Sequence, residues 1–341
     1  MNYTGLRKIK DLKQRQRIVA GLGKLRKGLK KDIPAKSEGQ LLLATWNIRE
    51  FGGKKHGGRL PDAMYYIAEC ISRFDLVAIQ EVRADLTALN DLLRILGRQW
   101  DVIYTDVSYA DSGNYERLAF IYNRSKVSFT GLAGEMVLPS KAAIKDMVQI
   151  ARTPFVCGFQ VGWAKFNLCT VHIYYGPGTA EPPRRVNEIF ALAKILAGKA
   201  KDYLNLAAAG YSPEHLVLLG DFNIFDRSDT TYEALTKNKF VVPEKLQAIP
   251  SGSNVAEDKF YDQIAFLKQK IGVKNTSAGI FNFFKYVFDD PKEFKSQKGA
   301  ETAAKFKQWR TYQMSDHLIM WSAFDVDETD TYLKAVVEAA E

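Results

Sequence analysis

The residues of this chain that can do chemistry sit at the ends of short apolar runs. They read Trp46–Asn47–Ile48–Arg49–Glu50, Ile79–Gln80–Glu81–Val82–Arg83, Tyr115–Glu116–Arg117, Val171–His172–Ile173, Gly220–Asp221–Phe222–Asn223, Tyr261–Asp262–Gln263–Ile264 and Ser315–Asp316–His317. One polar strand end is usually an exit to solvent; here seven carry oxygen ligands and two of the four histidines. Glu81, Asp316 and Asn47 offer the hard oxygen atoms that Mg²⁺, Mn²⁺ or Ca²⁺ prefer. Such an ion would neutralise phosphate charge and steady a pentacovalent transition state. Asp221 and Asn223, two apart after a buried run, point the same way and can hold a phosphate oxygen and an attacking water. His172 and His317 titrate near neutral pH and can exchange protons when carboxylates partner them. The order of residues offers no Ser–His–Asp or Cys–His nucleophile, which argues against a covalent route.

A scaffold must hold these side chains rigidly with their tips open to a cleft. Leu41–Trp46, Leu76–Ile79, Arg117–Tyr122, Phe155–Val161, Ala164–Val171, Leu216–Leu219, Asp262–Leu267 and Leu318–Phe324 read as strands. Leu60–Arg73, Leu86–Leu96, Pro183–Leu206 and Asp327–Ala340 read as helices. Alternation of strands and helices, broken by strand–strand successions, predicts two packed sheets with helices outside rather than one parallel sheet.

The bulk composition is that of a globular chain: 341 residues, 46% hydrophobic and 26% charged. No apolar run approaches the ~18 to 20 residues that cross a bilayer, and no secretory signal opens the sequence, so a cytoplasmic protein is expected. Cys70, Cys157 and Cys169 read as buried small hydrophobes in a reducing compartment. The net charge of +9 is concentrated at one end. Residues 1–36 hold twelve Lys or Arg against Asp11 and Asp32, a net +10 that leaves the other 305 residues at −1. We therefore read residues 1–38 as a basic helical arm, 39–326 as the catalytic domain and 327–341 as a terminal helix. Leu6, Ile9, Leu12, Ile18, Val19, Leu22, Leu25 and Leu29 recur at helical spacing in the arm. Gly21, Gly23 and Gly28 weaken it, so two short helices compete with one. The arm could grip a polyanion, lie on an anionic membrane, or pack its Leu stripe on the body with the charges solvated.

Taken in order, Trp46–Asn47–Ile48–Arg49–Glu50–Phe51–Gly52, Gln80–Glu81–Val82–Arg83, Gly220–Asp221–Phe222–Asn223 and Ser315–Asp316–His317 resemble the endonuclease/exonuclease/phosphatase superfamily over roughly Gln40 to Phe324. The resemblance implies an α/β fold, a four-layer sandwich with the site at one edge of the paired sheets, and a divalent-metal-dependent phosphodiesterase. Glu116–Arg117, Arg152 in Arg–Thr–Pro, His172 and Asp262 resemble the deoxyribonuclease I branch. That likeness implies two His–carboxylate pairs flanking a scissile phosphate, His172 with Glu116 and His317 with Asp262. It has His317 taking a proton from water and His172 protonating the leaving oxygen, an assignment the sequence leaves reversible. Arg83, Arg117 and Arg152 resemble residues that touch a nucleic-acid groove or a phosphate. The expected substrate is DNA, cut with low sequence specificity, and no obligate protein partner is evident.

Two readings compete with that one. Sphingomyelinase-like members share both histidines, and Ile280–Phe288 could be an aromatic membrane finger, although a buried strand or hairpin suits its interleaved Asn282 and Lys285 better. A catalytically dead binding module is the other, against which all the ligating and proton-transfer residues are retained. The chain departs from the family in Leu–Ile–Met after His317, in Gln263 where Arg is frequent, and in a long Lys- and Phe-rich stretch from Ser277 to Tyr312.

Overall fold

The computed structural model describes residues 1–108, 114–138, 149–207, 214–268 and 273–327 with four isolated positions beyond, and side chains of residues 201–207 are not considered. The terminal helix expected at 327–341 lies largely outside the described residues. Sheet A contains β1 (Gln40–Phe51), β2 (Leu76–Arg83), β3 (Trp100–Tyr104), β4 (Glu116–Asn123), β11 (Asn275–Phe281) and β12 (Ile319–Asp325), in the order β11-β12-β1-β2-β4-β3. Sheet B contains β5 (Ser128–Glu135), β6 (Phe155–Val161), β7 (Ala164–His172), β8 (Glu214–Asp221), β9 (Phe240–Val241) and β10 (Asp262–Leu267), in the order β5-β6-β7-β8-β10-β9. Sheet A is covered by α1 (Leu12–Asp32), α2 (Pro61–Ser72), α3 (Thr87–Leu96) and α7 (Ala303–Gln313). Across sheet B lie α4 (Pro183–Ala207) and α5 (Thr230–Thr236), with the one-turn α6 (Glu244–Gln247). The result is the four-layer α/β sandwich, two mixed sheets flanked by helices.

The pleat explains why the polar strand ends converge. In β1, Leu41 and Leu43 enter the core shared with sheet B, whereas Leu42, Ala44, Trp46 and Ile48 pack under the helices. Period two therefore sends Thr45 and Asn47 into the space between the sheets. The same count puts Gln80 of β2 and Thr170 of β7 face to face, and the Gln80 amide bridges the sheets to Thr170 Oγ1 at 2.9 Å. Parallel pairs β1–β2 and β7–β8 place four carboxyl ends at one edge. Their antiparallel neighbours β12, β4 and β10 begin at that edge, which brings in His317, Glu116 and Asp262.

The basic N-terminal segment is one helix, α1, preceded by a 3₁₀ turn at Thr4–Lys8. Asp11 caps it by accepting from the N–H groups of Lys13 and Gln14. Ile18, Leu22, Leu25 and Leu29 are buried with α2 and the aromatic stretch after β11. Several cations are spent on ion pairs: Arg17 with buried Asp62 at 2.7 Å, Arg26 with Glu69 and Lys24 with Asp289. Gly21 is a contact rather than a weakness, since a Cβ there would lie 2.1 Å from the hydroxyl of buried Tyr66. Phe281, Phe283, Phe284 and Phe288 are buried in the same layer, Phe283 against Trp46 and Phe288 against Tyr66 and Trp309. That stretch is packing material and presents no aromatic finger. All three cysteines are buried free thiols.

β3, β5, β9 and β11 are not among the expected strands. β5 is exposed along its whole length, β3 and β11 are mostly half-buried, and β9 is two residues long, so none carries the buried apolar run by which the others are read.

Candidate active site

The cleft is built around Asp221. Gly220 before it has φ +134°, and a Cβ there would lie 2.2 Å from the carbonyl oxygen of Val171, so glycine lets β8 run close beside β7. Asp221 Oδ2 accepts from the Asn47 amide at 2.9 Å and lies 3.4 Å from His172 Nε2 and 3.6 Å from His317 Nε2. Its Oδ1 accepts from the backbone N–H of Asn223 at 2.9 Å. Asn223 takes a left-handed turn, φ +53°, and its side-chain amide donates to Ile173 O at 2.8 Å.

Each imidazole is backed by a carboxylate on its other nitrogen. His317 Nδ1 is 2.9 Å from Asp262 Oδ2, which also accepts from Ser253 Oγ at 2.6 Å. His172 Nδ1 is 2.9 Å from Glu116 Oε2, with the ring turned off the line of a good hydrogen bond. Burial opposes a charge on His317, but Asp262, Asp221 and Asp316 around it carry its pKa well above the ordinary imidazole value. Both sequence-expected His–carboxylate pairs are thus adjacent in space, and their outward nitrogens face one oxygen.

Glu81 should point away from Asn47, because Gln80 before it faces the inter-sheet space. A register shift between Ile79 and Val82 and a left-handed backbone, φ +62°, re-aim it. Its carboxylate then accepts from the Asn47 amide at 3.0 Å and from Glu50 N–H at 2.7 Å. Burial pushes the Glu81 pKa up; His172, the Glu50 and Asn47 donors and His317 outweigh it and bring it down to about 2. A carboxylate kept ionised in this way suits a cation. Asn47 Oδ1 is buried with no partner among the described residues, an acceptor that none of them fills. Glu81, Glu116 and His172 also hold ligand atoms within 4.8 Å of one another. These oxygen-rich residues fit a hard divalent ion. Asp316, expected with them, is instead 3.4 Å from Arg49 and more open to solvent.

The three arginines expected at phosphate have other employment. Arg152 is buried, with Nε 2.8 Å from Glu116, so it fixes that carboxylate instead of presenting a free guanidinium. Arg117 donates to the carbonyls of Thr105 and Ala84, so its guanidinium ties together the segments that follow β3 and β2. Arg83 spans Glu50 at 3.6 Å and Glu116 at 3.7 Å and stays about a quarter exposed at the cleft. The sequence assigns no role to other supports. Arg59 donates to Glu50 O, Arg49 O and Gln313 O, and burial lowers its pKa to about 10. Ser315 Oγ donates to Asn47 O at 2.6 Å and accepts from His317 N–H at 3.0 Å, locking β1 to the His317 turn.

Residues 44–241 match the model of the endonuclease/exonuclease/phosphatase family. No curated protein matches the chain by sequence. Among solved structures, the human Nocturnin catalytic domain with bound sulfate is similar at TM-score 0.56 and 13% identity, covering 85% of this chain and 96% of that one. Danio rerio TDP2 complexed with a single-strand DNA product gives 0.52 at 14% identity, covering 84% and 98%. A Bacteroides thetaiotaomicron mannosyl-6-phosphatase gives 0.51 at 16% identity, covering 83% and 98%. Such low identities speak for the fold alone. With its model matched over more than half of the length and the phosphodiesterase/phosphatase fold around it, the chain belongs to the endonuclease/exonuclease/phosphatase family.

Proposed function

We propose that this protein is a divalent-metal-dependent phosphodiesterase that cuts DNA with low sequence specificity by in-line attack of water. The observation that carries the reading is the convergence of His172 Nε2 and His317 Nε2 on Asp221 Oδ2, each ring backed by a buried carboxylate. One imidazole takes a proton from the attacking water at Nε2 and the other gives a proton to the leaving oxygen. Glu116 and Asp262 hold the rings in place and stabilise the imidazolium, which the base becomes and from which the acid starts. Asp221 and Asn223 orient the water and a phosphate oxygen. Asn47 and Glu81, with Asp316, would hold the ion, Mg²⁺ before Mn²⁺ or Ca²⁺. When bound it supplies charge neutralisation at the phosphate. The lipid-headgroup reading loses its positive feature, because Phe281, Phe283, Phe284 and Phe288 are buried.

The test is plasmid nicking at physiological salt with Mg²⁺ or Mn²⁺, comparing the parent with His172→Ala and His317→Ala beside an EDTA control. Metal-dependent nicking that falls by ~10² or more in both variants is the expected result. Intact plasmid under every condition, from folded protein that binds the metal, overturns it; sphingomyelin, bis(p-nitrophenyl) phosphate and sugar phosphates then distinguish the other phosphoester classes.

A further inference from the structure

An open pocket of about 650 Å³ lies between the loop after β1 and the α7 region, outside the groups that the proposed reaction uses. Lys54, Lys55, Lys298 and Lys305 line it with the rings of Trp309 and Tyr312, and Glu301 is its one carboxylate. Lys54 is paired with Asp85 at 2.9 Å and Lys305 with Glu301 at 3.5 Å. Lys55 and Lys298 are exposed and form no ion pair with a described residue. Four ammonium groups around one concavity repel one another and raise the local concentration of anions. Its volume is within the ~300 to 1,000 Å³ of small-ligand sites.

The pocket also adjoins residues that contact the catalytic end. Tyr312 has the His56 ring at 3.8 Å and the Arg49 guanidinium at 3.9 Å. Two groups at that separation cannot share one face, so the phenol is sandwiched between them. Arg49 reaches on to Asp316 at 3.4 Å, and His56 to Glu50, whose N–H holds Glu81. A smaller cavity lined by Arg49, Glu50, His56, Arg59 and Tyr312 occupies the partition. Lys298, Lys305, Trp309 and Tyr312 all come from the end of the chain's long Lys- and Phe-rich stretch or the helix within it.

We propose that this pocket binds a phosphate group of the substrate other than the one being cleaved, so that the enzyme favours substrates bearing a second phosphate beside the scissile ester. The inference rests on the phosphoester reading of the histidine site. Lysines act as compact point charges on phosphate. A neighbouring nucleotide of a strand and a polyphosphorylated small molecule both offer that chemistry.

The measurement is fluorescence anisotropy of a dye-labelled 5′-phosphorylated hexathymidylate on the full chain without added metal, across a salt series, with inositol hexakisphosphate as competitor. The double variant Lys55→Glu/Lys298→Glu is compared with the parent after both show the same circular dichroism and unfolding midpoint. Affinity should fall roughly tenfold or more, and the slope of log Kd against log salt by about 1.4, roughly 0.7 for each lysine on a single strand. The ratio of kcat/KM for the oligonucleotide over bis(p-nitrophenyl) phosphate should fall in step. Competition by inositol hexakisphosphate in the parent but not in the variant identifies a small polyphosphate as sufficient; its failure assigns the pocket to the strand. Equal binding by parent and variant, or no binding by the parent, overturns the proposal. Binding is read without turnover, so loss of the nicking activity leaves this result standing.

Discussion

The α1–α2 layer and the catalytic edge of the sheets treat charge differently: the layer buries Asp62 and Glu69 against arginines of α1, whereas the edge gathers buried acids and imidazoles around one carboxylate oxygen. In the layer, α1 turns Ile18, Leu22, Leu25 and Leu29 inward and leaves Lys13, Lys27, Lys30 and Lys31 in water. At the edge, Glu116, His172, Asp221, Asp262 and His317 are all under 10% exposed, and Glu50, Glu81 and Asn223 sit at positive φ. Buried charges and left-handed backbone cost free energy, and they persist where the surroundings over-determine them. The layer is organised for stability and the edge for chemistry. Substitutions in the two regions should therefore separate cleanly into losses of folding and losses of turnover.

The largest effect is expected at the histidines: alanine at His172 or His317 should lower kcat on bis(p-nitrophenyl) phosphate by ~10² to 10⁴. Leu25→Ala should do the reverse, costing about 2–5 kcal/mol in urea unfolding with kcat retained. If Leu25→Ala removed turnover at unchanged stability, the division would fail. Next in size is Glu81→Gln, for which calorimetric titration should show Mg²⁺ or Mn²⁺ affinity weakened by about 10- to 100-fold. Unchanged affinity would move the cation site to other residues. Gly21→Ala comes third and sets two magnitudes against each other. Helix propensity alone favours alanine by about 1 kcal/mol. The clash with buried Tyr66 costs about 1–3 kcal/mol, so a lowered melting temperature is expected, and a raised one would show that Tyr66 yields easily. The smallest effect is Lys27→Ala, which should stay within about 0.5 kcal/mol of the parent in stability. Its DNA affinity should hardly move if the outer face of α1 is merely solvated; a clear fall would make that face a polyanion contact.

Much of the edge was legible because strand periodicity carries position. Asn47, His172 and Asp221 follow, and Asp262 precedes, buried residues of their own strands at two-residue spacing, so once strands were recognised their common face followed. Glu81 broke that count, and the left-handed turn that brings it beside Asn47 cannot be read from alternation. Arginines were the least legible. The partners of Arg117 and Arg152 could not be read, because a guanidinium is written the same way whether it faces a ligand, a carbonyl or a carboxylate. Their partners, Thr105 O and Ala84 O for one and Glu116 for the other, come from segments far apart in the chain. Ser253 and Arg59 had no local signature at all.

The sequence by itself determined the local facts: which runs form strands and helices, that +10 of charge sits in the first 36 residues, and that oxygen and imidazole ligands recur at strand ends. Those depend on spacing and residue type, which are properties of neighbouring positions. Tertiary structure alone decided that Asp221 is shared by both histidines, that α1 and the Phe-rich stretch are packed layers, and that four lysines surround one pocket. These are distances between residues tens to hundreds of positions apart, fixed only when strand pairing, sheet packing and close contacts such as Gly21 against Tyr66 are satisfied together.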